Sequence, residues 1–427
     1  MRRVLNVLHA LGLTMVIFSV TLLFPYFLSL YFQDNAHDSF LTSFFWSMGS
    51  GVLLWLVTYP FRRELRSREG LLLVFMVWAV FPLIASLPLM LEASHVGVKL
   101  SFTHAYYEAM SGLTTTGASI LPDVTQLPES LNLWRHTLVW FGGMGILVLA
   151  VAILPMLGVG GHQVMRGETP GPMKEEKLTP RIASTAKILY TIYFSASVLC
   201  LFAYKLVGLN WFDAWCHTAS TMGLGGFSTY NGGFLDLDSG AAEVVACVFM
   251  LFAGINFATH FKVIRSRDLS VYRACPETIP FLGVVLGCGI FISLFLFFSG
   301  TYSHFSEAFR FGMFNTISVA TTTGFANTDY LQWPLFLPII MLLLGAFATS
   351  SGSTGGGIKM IRLRLVVKQI RTEIRCLLHP HAVYPVKLGA RVIDQKVIMS
   401  IMVFMLVYSL TLMSLTAIML LAGEEPV

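Results

Sequence analysis

The chain has 427 residues, of which 55% are hydrophobic and only 12% charged, with a formal net charge of +5 and a mean hydropathy of +0.71. Soluble domains carry roughly twice that charged fraction, so the composition excludes a water-soluble enzyme and gives no basic surface of the kind that binds nucleic acid. It points to an all-α polytopic membrane protein in which apolar runs of about 20 residues recur.

In chain order, spans are expected near 4–32, 40–60, 71–93, 133–158, 186–209, 240–264, 277–300, 334–368 and 395–421. The first run, after Met1-Arg2-Arg3, is too long for a signal peptide and reads as a retained helix. The six cysteines (Cys200, Cys216, Cys247, Cys275, Cys288 and Cys376) form no Cys-x-x-Cys pair and read as small apolar residues. The Gly- and Pro-rich stretch 158–180 reads as a cytoplasmic linker between units.

Charge orders these spans. Arg62, Arg63, Arg66 and Arg68 share one connection, Arg166, Lys174, Lys177 and Arg181 a second, Lys262, Arg265, Arg267 and Arg273 a third, and Lys359 to Lys396 a fourth. With Arg2, Arg3 and Lys187, 24 of the 28 Lys and Arg fall on one side; Lys99, Arg135, Lys205 and Arg310 do not. The positive-inside rule puts that side and the N-terminus in the cytoplasm. Asp34, Asp38, Asp123, Glu129, Asp236, Asp238 and Asp329 then lie on the opposite face.

Three short polar stretches interrupt the apolar pattern: Leu113-Thr-Thr-Thr-Gly-Ala118, Met222-Gly-Leu-Gly-Gly-Phe227 and Thr321-Thr-Thr-Gly-Phe325. Aligned on Gly117, Gly226 and Gly324, they lie 109 and 98 residues apart, and Ser111, Ser220 and Ser318 coincide. So do Ala105, Ala214 and Gly312, and the aromatic residues Phe102, Trp211 and Phe309. Each follows a segment too short to cross a bilayer. A re-entrant helix with an extended loop is tolerated at that depth where it lines water, and its C-terminal dipole end favours a cation. Backbone carbonyls can replace the hydration shell of a monovalent ion, with glycine supplying the required backbone angles. No ring of carboxylates accompanies the three stretches, which argues against a filter for divalent cations. Close packing of helices through small residues is the better explanation of any one stretch alone, but not of three in register.

These residues resemble the Trk/Ktr/HKT superfamily of cation transporters, and within it the bacterial Trk potassium uptake membrane subunits of TrkH or TrkG type. The resemblance spans nearly the whole chain. It rests on Ser111-Gly-Leu-Thr-Thr-Thr-Gly117, Trp140-Phe-Gly-Gly-Met-Gly145, Met165-Arg-Gly-Glu-Thr-Pro-Gly-Pro172, Gly225-Gly-Phe-Ser-Thr229 and Gly352-Ser-Thr-Gly-Gly-Gly-Ile-Lys359. It implies helix–pore-loop–helix units in pseudo-fourfold arrangement around one pore, preceded by two extra N-terminal helices. The units would be residues 1–70 (extra pair), 71–180 (repeat 1), 181–275 (repeat 2), 276–390 (repeat 3) and 391–427 (first helix of repeat 4).

The resemblance assigns the K+ filter to Thr115, Thr116 and Gly117, to Leu224, Gly225 and Gly226, and to Thr322, Thr323 and Gly324. It assigns an intramembrane gating loop to Ser350, Ser351, Gly352, Ser353, Thr354, Gly355, Gly356 and Gly357. A Walker phosphate loop does not fit there, because Ile358 separates Gly357 from Lys359 and Met360 follows. Plain kinking of the helix is the competing reading of this loop. Serine at the key glycine of the first loop accompanies sodium permeation in relatives, so Gly117 favours potassium.

The resemblance further implies multi-pass placement in the bacterial inner membrane, a homodimer, a cytoplasmic nucleotide-binding regulatory subunit of the TrkA type, and K+ as the bound and transported ion with no organic cofactor. Arg362 to Arg375 and the segment around Lys174 are candidate docking sites for that subunit. A fourth loop of the family pattern would lie beyond Val427, so the expectation is a sequence truncated before it. A non-conducting assembly subunit and a sodium-permeable relative are the alternatives. A membrane enzyme using His104, His136, His217, His260 and Glu108 is disfavoured because they lack metal-ligand spacing.

Overall fold

The computed structural model describes residues 2–63, 65, 67–93, 100–153, 182–379, 382, 384–388 and 391–423. The linker at 158–180, the Met165–Pro172 motif and Lys99 lie outside the described residues. Two helices, α1 (Arg2–Val20) and α2 (Leu23–Phe32), form the first apolar run, and α3 (His37–Thr58) returns beside α1. These pack against the first repeat unit, α4 (Ser67–Ala93), α5 (Phe102–Leu113) and α6 (Glu129–Ile153). Phe18 stacks on Phe81 with ring centroids 4.3 Å apart, and Trp134 is fully buried beside them.

The second unit comprises α7 (Ile182–Leu206), α8 (Trp211–Gly223), α9 (Gly240–Gly254) and α10 (Phe257–Ser266). The third comprises α11 (Thr278–Phe298), α12 (Phe305–Ala320) and α13 (Phe336–Phe347). Then come α14 (Met360–Leu378), a two-stranded hairpin of β1 (Lys387–Leu388) and β2 (Arg391–Val392), and α15 (Gln395–Leu421). The hairpin is a small departure from the all-helical expectation.

Six helical stretches among the described residues are long and apolar enough to cross a membrane. The apolar run 240–264 is not a straight span: α9 and α10 meet at a 92° bend. The break falls at Asn256, whose side chain caps α10 by accepting the Ala258 N–H at 2.8 Å. An Asn N-cap within an apolar run is the local cause, since it satisfies an amide that the straight helix would have bonded backwards. The run 334–368 is likewise broken, between α13 and α14.

The helices before the loops are short by the same arithmetic in each unit. Helices α5, α8 and α12 have 12, 13 and 16 residues. At 1.5 Å per residue they reach about 18–24 Å, short of a hydrocarbon core of about 30 Å. Ser101 caps α5 by accepting the His104 N–H at 3.2 Å, and Asn210 caps α8 by accepting that of Asp213 at 2.7 Å.

The repeat extends outward from the loops. Asp123-Val-Thr-Gln-Leu-Pro128 and Asp329-Tyr-Leu-Gln-Trp-Pro334 both form 3-10 turns. In each, the Gln side-chain amide donates to its own Asp at 2.9 Å.

Candidate functional site

The three loops share one backbone conformation. φ is +55° at Thr115, +54° at Leu224 and +62° at Thr322, and again positive two residues on, +75° at Gly117, +69° at Gly226 and +87° at Gly324. Thr116, Gly225 and Thr323 between them are not left-handed. A chain whose φ alternates in sign turns successive carbonyls toward the same side, as a row of ion ligands requires. Only the last position is glycine in all three loops; Thr115, Leu224 and Thr322 hold the left-handed conformation against its usual cost.

Hydrogen bonds repeat as closely. The amides of Thr116, Gly225 and Thr323 donate to the carbonyls of Ser111, Ser220 and Ser318 at 2.9, 3.0 and 2.8 Å. Those of Thr115, Leu224 and Thr322 donate to Gly112, Thr221 and Val319 at 3.0, 3.3 and 3.0 Å. The serine column read from sequence is therefore where each loop is tied to its helix. In loops 1 and 3, threonine hydroxyls pair across the turn, Thr114 with Thr116 at 2.8 Å and Thr321 with Thr323 at 2.7 Å. Loop 2 has Gly223 and Gly225 at those places and no such pair.

The loops lie side by side in chain order. A Cβ on Gly117 would stand 1.9 Å from the Gly225 carbonyl oxygen, and one on Gly226 would stand 2.1 Å from that of Thr323. A Cβ on Gly324 meets no described atom within 4 Å. Gly324 is exposed, as are Thr114 and Thr116 on the other flank of the row.

The glycine-rich break between α13 and α14 tucks against loops 2 and 3. The Gly356 amide donates to the Thr322 hydroxyl at 2.9 Å. The Thr354 hydroxyl donates to the Met222 carbonyl, at the end of α8, at 3.1 Å. A Cβ on Gly355 would approach the Thr321 carbonyl oxygen to 3.0 Å. The break is also woven into the α9–α10 bend: Ser350 N–H donates to Gly254 O and Phe257 N–H to Gly352 O, both at 3.0 Å. Thr349 and Gly356 close the loop on itself at 2.9 Å, and the Lys359 ammonium donates to the Gly355 carbonyl. Within the segment the Ser353 hydroxyl donates to the Ser350 carbonyl at 2.6 Å, Ser351 is bonded through its amide to Glu277, and a Cβ on Gly357 would stand 2.5 Å from the Ala346 carbonyl oxygen.

Sequence reasoning missed several residues. Glu277, fully buried, accepts the amides of Ser351 at 2.8 Å and Ile361 at 3.2 Å, on both flanks of the break. Arg135, set aside as a basic residue on the outer side, is 1% exposed and bonds Glu108 through Nε at 2.8 Å and also through Nη2. Its guanidinium also lies 4.5 Å from the Phe227 ring centroid, next to loop 2. Arg310 pairs with Glu243 at 2.7 Å and Asp238 at 3.2 Å, and Lys205 donates to the Leu209 carbonyl at 3.1 Å. Glu108, His217 and Asn315 occupy one column of the repeat, nine residues before each loop glycine, and all three are fully buried. That column was available in the alignment but mixes three residue types, so no shared chemistry flagged it.

The residues considered for a metal or enzyme site are dispersed. His136 bonds the Asn132 carbonyl at 3.0 Å, His260 the Tyr272 hydroxyl at 2.8 Å, and His217 the Ser228 hydroxyl at 3.1 Å. Among the described residues no group of three His, Cys, Asp or Glu side chains is placed to hold a metal ion. The six cysteines are free; Cys200 and Cys216 are buried.

Comparison with known proteins places this geometry. A family model described as TrkH, cation transport protein, matches residues 36–285 and 299–424. The Trk system potassium uptake protein TrkH of Escherichia coli K12 is 40% identical over 399 residues, covering 93% of this chain and 82% of that protein. The Trk system potassium uptake protein TrkG of the same strain is 34% identical over 406 residues, covering 95% of this chain and 82% of that protein. The crystal structure of the potassium transporter TrkH from Vibrio parahaemolyticus superposes with a TM-score of 0.84 at 38% identity, covering 95% of this chain and 83% of that chain. With three matching re-entrant loops, a broken helix beneath them and agreement along almost its whole length, the chain belongs to the TrkH family of cation transport proteins.

Proposed function

We propose that the chain is the membrane subunit of a potassium uptake system and that K+ passes through a filter lined by Thr115–Gly117, Leu224–Gly226 and Thr322–Gly324. The observation that carries this reading is the positive, non-positive, positive φ pattern common to all three loops. It supplies rows of carbonyl oxygens without any fixed negative charge, which suits a weakly hydrated monovalent cation. Gly117 keeps the first loop free of a side chain, the arrangement expected for potassium rather than sodium.

The break from Ser350 to Gly357 is the gate of this reading. It meets loop 3 through the Gly356 amide on the Thr322 hydroxyl and the end of α8 through the Thr354 hydroxyl on the Met222 carbonyl, so opening breaks these two bonds while the Glu277 clamp holds the base of the segment. The protein is placed in the bacterial inner membrane with its N-terminus cytoplasmic, as a homodimer regulated by a nucleotide-binding subunit of the TrkA type. Helix α14, carrying Arg364, Lys368, Arg371 and Arg375, is the docking element in this scheme.

Expression in a bacterial strain lacking its own potassium uptake systems tests the reading. Expressed together with a fourth pore loop of the family pattern, the chain is expected to restore growth at limiting potassium and to take up rubidium-86, with potassium competing better than sodium. Protein present in the membrane with no rubidium uptake, with or without a co-expressed regulatory subunit, would overturn it.

A further inference from the structure

The backbone bonds that tie each filter loop to its own helix reach the residue before the loop glycine in loops 1 and 2, and the glycine itself in loop 3, where the Gly324 amide donates to the Ser318 carbonyl at 3.4 Å. Beyond Gly117, Gly226 and Gly324 the chain climbs away, and something must fix that outgoing strand if the carbonyls are to hold their spacing. In all three units one polar side chain does so from the same place on the pore helix. Glu108 accepts the Ser119 hydroxyl at 3.0 Å and the Ile120 amide at 3.1 Å. His217 bonds the Ser228 hydroxyl through Nε2 at 3.1 Å. Asn315 donates to the Asn327 side-chain carbonyl at 2.6 Å. The partner stands two residues past the glycine in loops 1 and 2 and three past it in loop 3.

We propose that Glu108, His217 and Asn315 are positioning residues for ion selectivity, one brace per filter loop, each clamping the outgoing strand back onto the helix that delivers the loop. This rests on the filter reading above. A carboxylate, an imidazole and an amide share the position, so what the site needs is a hydrogen bond across the loop rather than a charge. The one charged brace is neutralised where it stands: Arg135 bonds Glu108, reaches the Ser119 hydroxyl at 3.2 Å and is held by Asn132 at 2.9 Å. The other two are anchored from behind on their own helices, His217 by Nδ1 to the Asp213 carbonyl at 2.8 Å and Asn315 by Nδ2 to the Phe311 carbonyl at 2.8 Å. Each brace is thus fixed at both ends, and a shift of the outgoing strand must break a bond. A loosened strand admits ions whose preferred oxygen spacing is shorter than that of K+, so sodium entry is the expected symptom.

The test measures sodium-22 and rubidium-86 uptake in cells for the full chain and for H217L, H217Q, S228A and N315L, with each protein quantified in the membrane. H217L and N315L are expected to raise the sodium-to-rubidium ratio several-fold, and H217Q, whose amide oxygen can accept the Ser228 hydroxyl in place of Nε2, to restore it. S228A removes the same brace from the strand side without touching the buried helix, so it reports even if H217L fails to accumulate. It is expected to shift the ratio as H217L does, with the double variant no worse than either single one. A ratio unchanged in S228A and N315L, at normal rubidium uptake, overturns the proposal while leaving the filter reading intact. Absence of selective uptake by the unaltered chain overturns the filter reading itself.

Discussion

At the residue scale, the three loop glycines are equivalent by alignment but not by surroundings. Gly117 and Gly226 press against neighbouring carbonyls, whereas Gly324 has no described neighbour within 4 Å of a Cβ position. An alanine at any of them bears a left-handed backbone cost of about 1–2 kcal/mol; at Gly117 and Gly226 it also has to push the next loop aside. G117A and G226A are therefore expected to abolish rubidium uptake, and G324A to retain part of it, at equal amounts of protein in the membrane. Equal loss in all three would mean that the contact between loops does not matter. Arg135 makes a second case. Removing one member of a buried ion pair costs about 3–5 kcal/mol, because the other charge is left without a partner. R135Q is expected to lower the melting temperature sharply, while a paired replacement of Arg135 and Glu108 by Met and Leu recovers much of it. The pair itself was not legible in the sequence, since Glu108 and Arg135 are 27 residues apart on two helices. Only the fold shows that the outlying arginine is buried rather than placed in an outer loop.

At the element scale, most of the helix–loop–helix order was legible because apolar runs and polar interruptions alternate so sharply. The break between α13 and α14 announced itself by glycines within an apolar run. The bend between α9 and α10 did not, because Ile255 and Asn256 interrupt an apolar stretch by only one polar residue. Nor did Glu277, a single acidic residue at the start of an apolar run. Its Oε1 atom takes amides from Ser351 and Ile361, so one carboxylate holds the entry and exit of the break together. Replacing it by alanine leaves two amides unsatisfied, at about 1–3 kcal/mol each, and the loop is expected to loosen. The measurement is thiol labelling of a cysteine at Ser353 in an otherwise cysteine-free chain. E277A should accelerate labelling from the cytoplasmic side, E277Q should do so less because its carbonyl oxygen still accepts, and equal rates in all three would argue against a clamp.

At the scale of the whole molecule, the loops are the place where units from three distant parts of the chain meet. Loop 1 leans on loop 2, loop 2 on loop 3, and the broken helix ties loop 3 to the end of α8. The contacts between loops are close approaches of backbone, carbonyl oxygens facing glycines, rather than buried apolar surfaces. An ion bound among those oxygens would draw together groups that otherwise repel, and ion binding would be linked to folding of the assembly. A ligand that binds only the native state stabilises it by an amount that grows with the logarithm of its concentration, reaching about 2.7 kcal/mol at a hundredfold excess over the dissociation constant. The purified protein in detergent is therefore expected to melt at a higher temperature in potassium or rubidium chloride than in choline chloride of equal ionic strength, with sodium giving a smaller rise. G117S, which crowds the junction of loops 1 and 2, should narrow the gap between potassium and sodium. Identical melting in all four salts would mean that the three loops do not share a cation site, whatever their backbone symmetry.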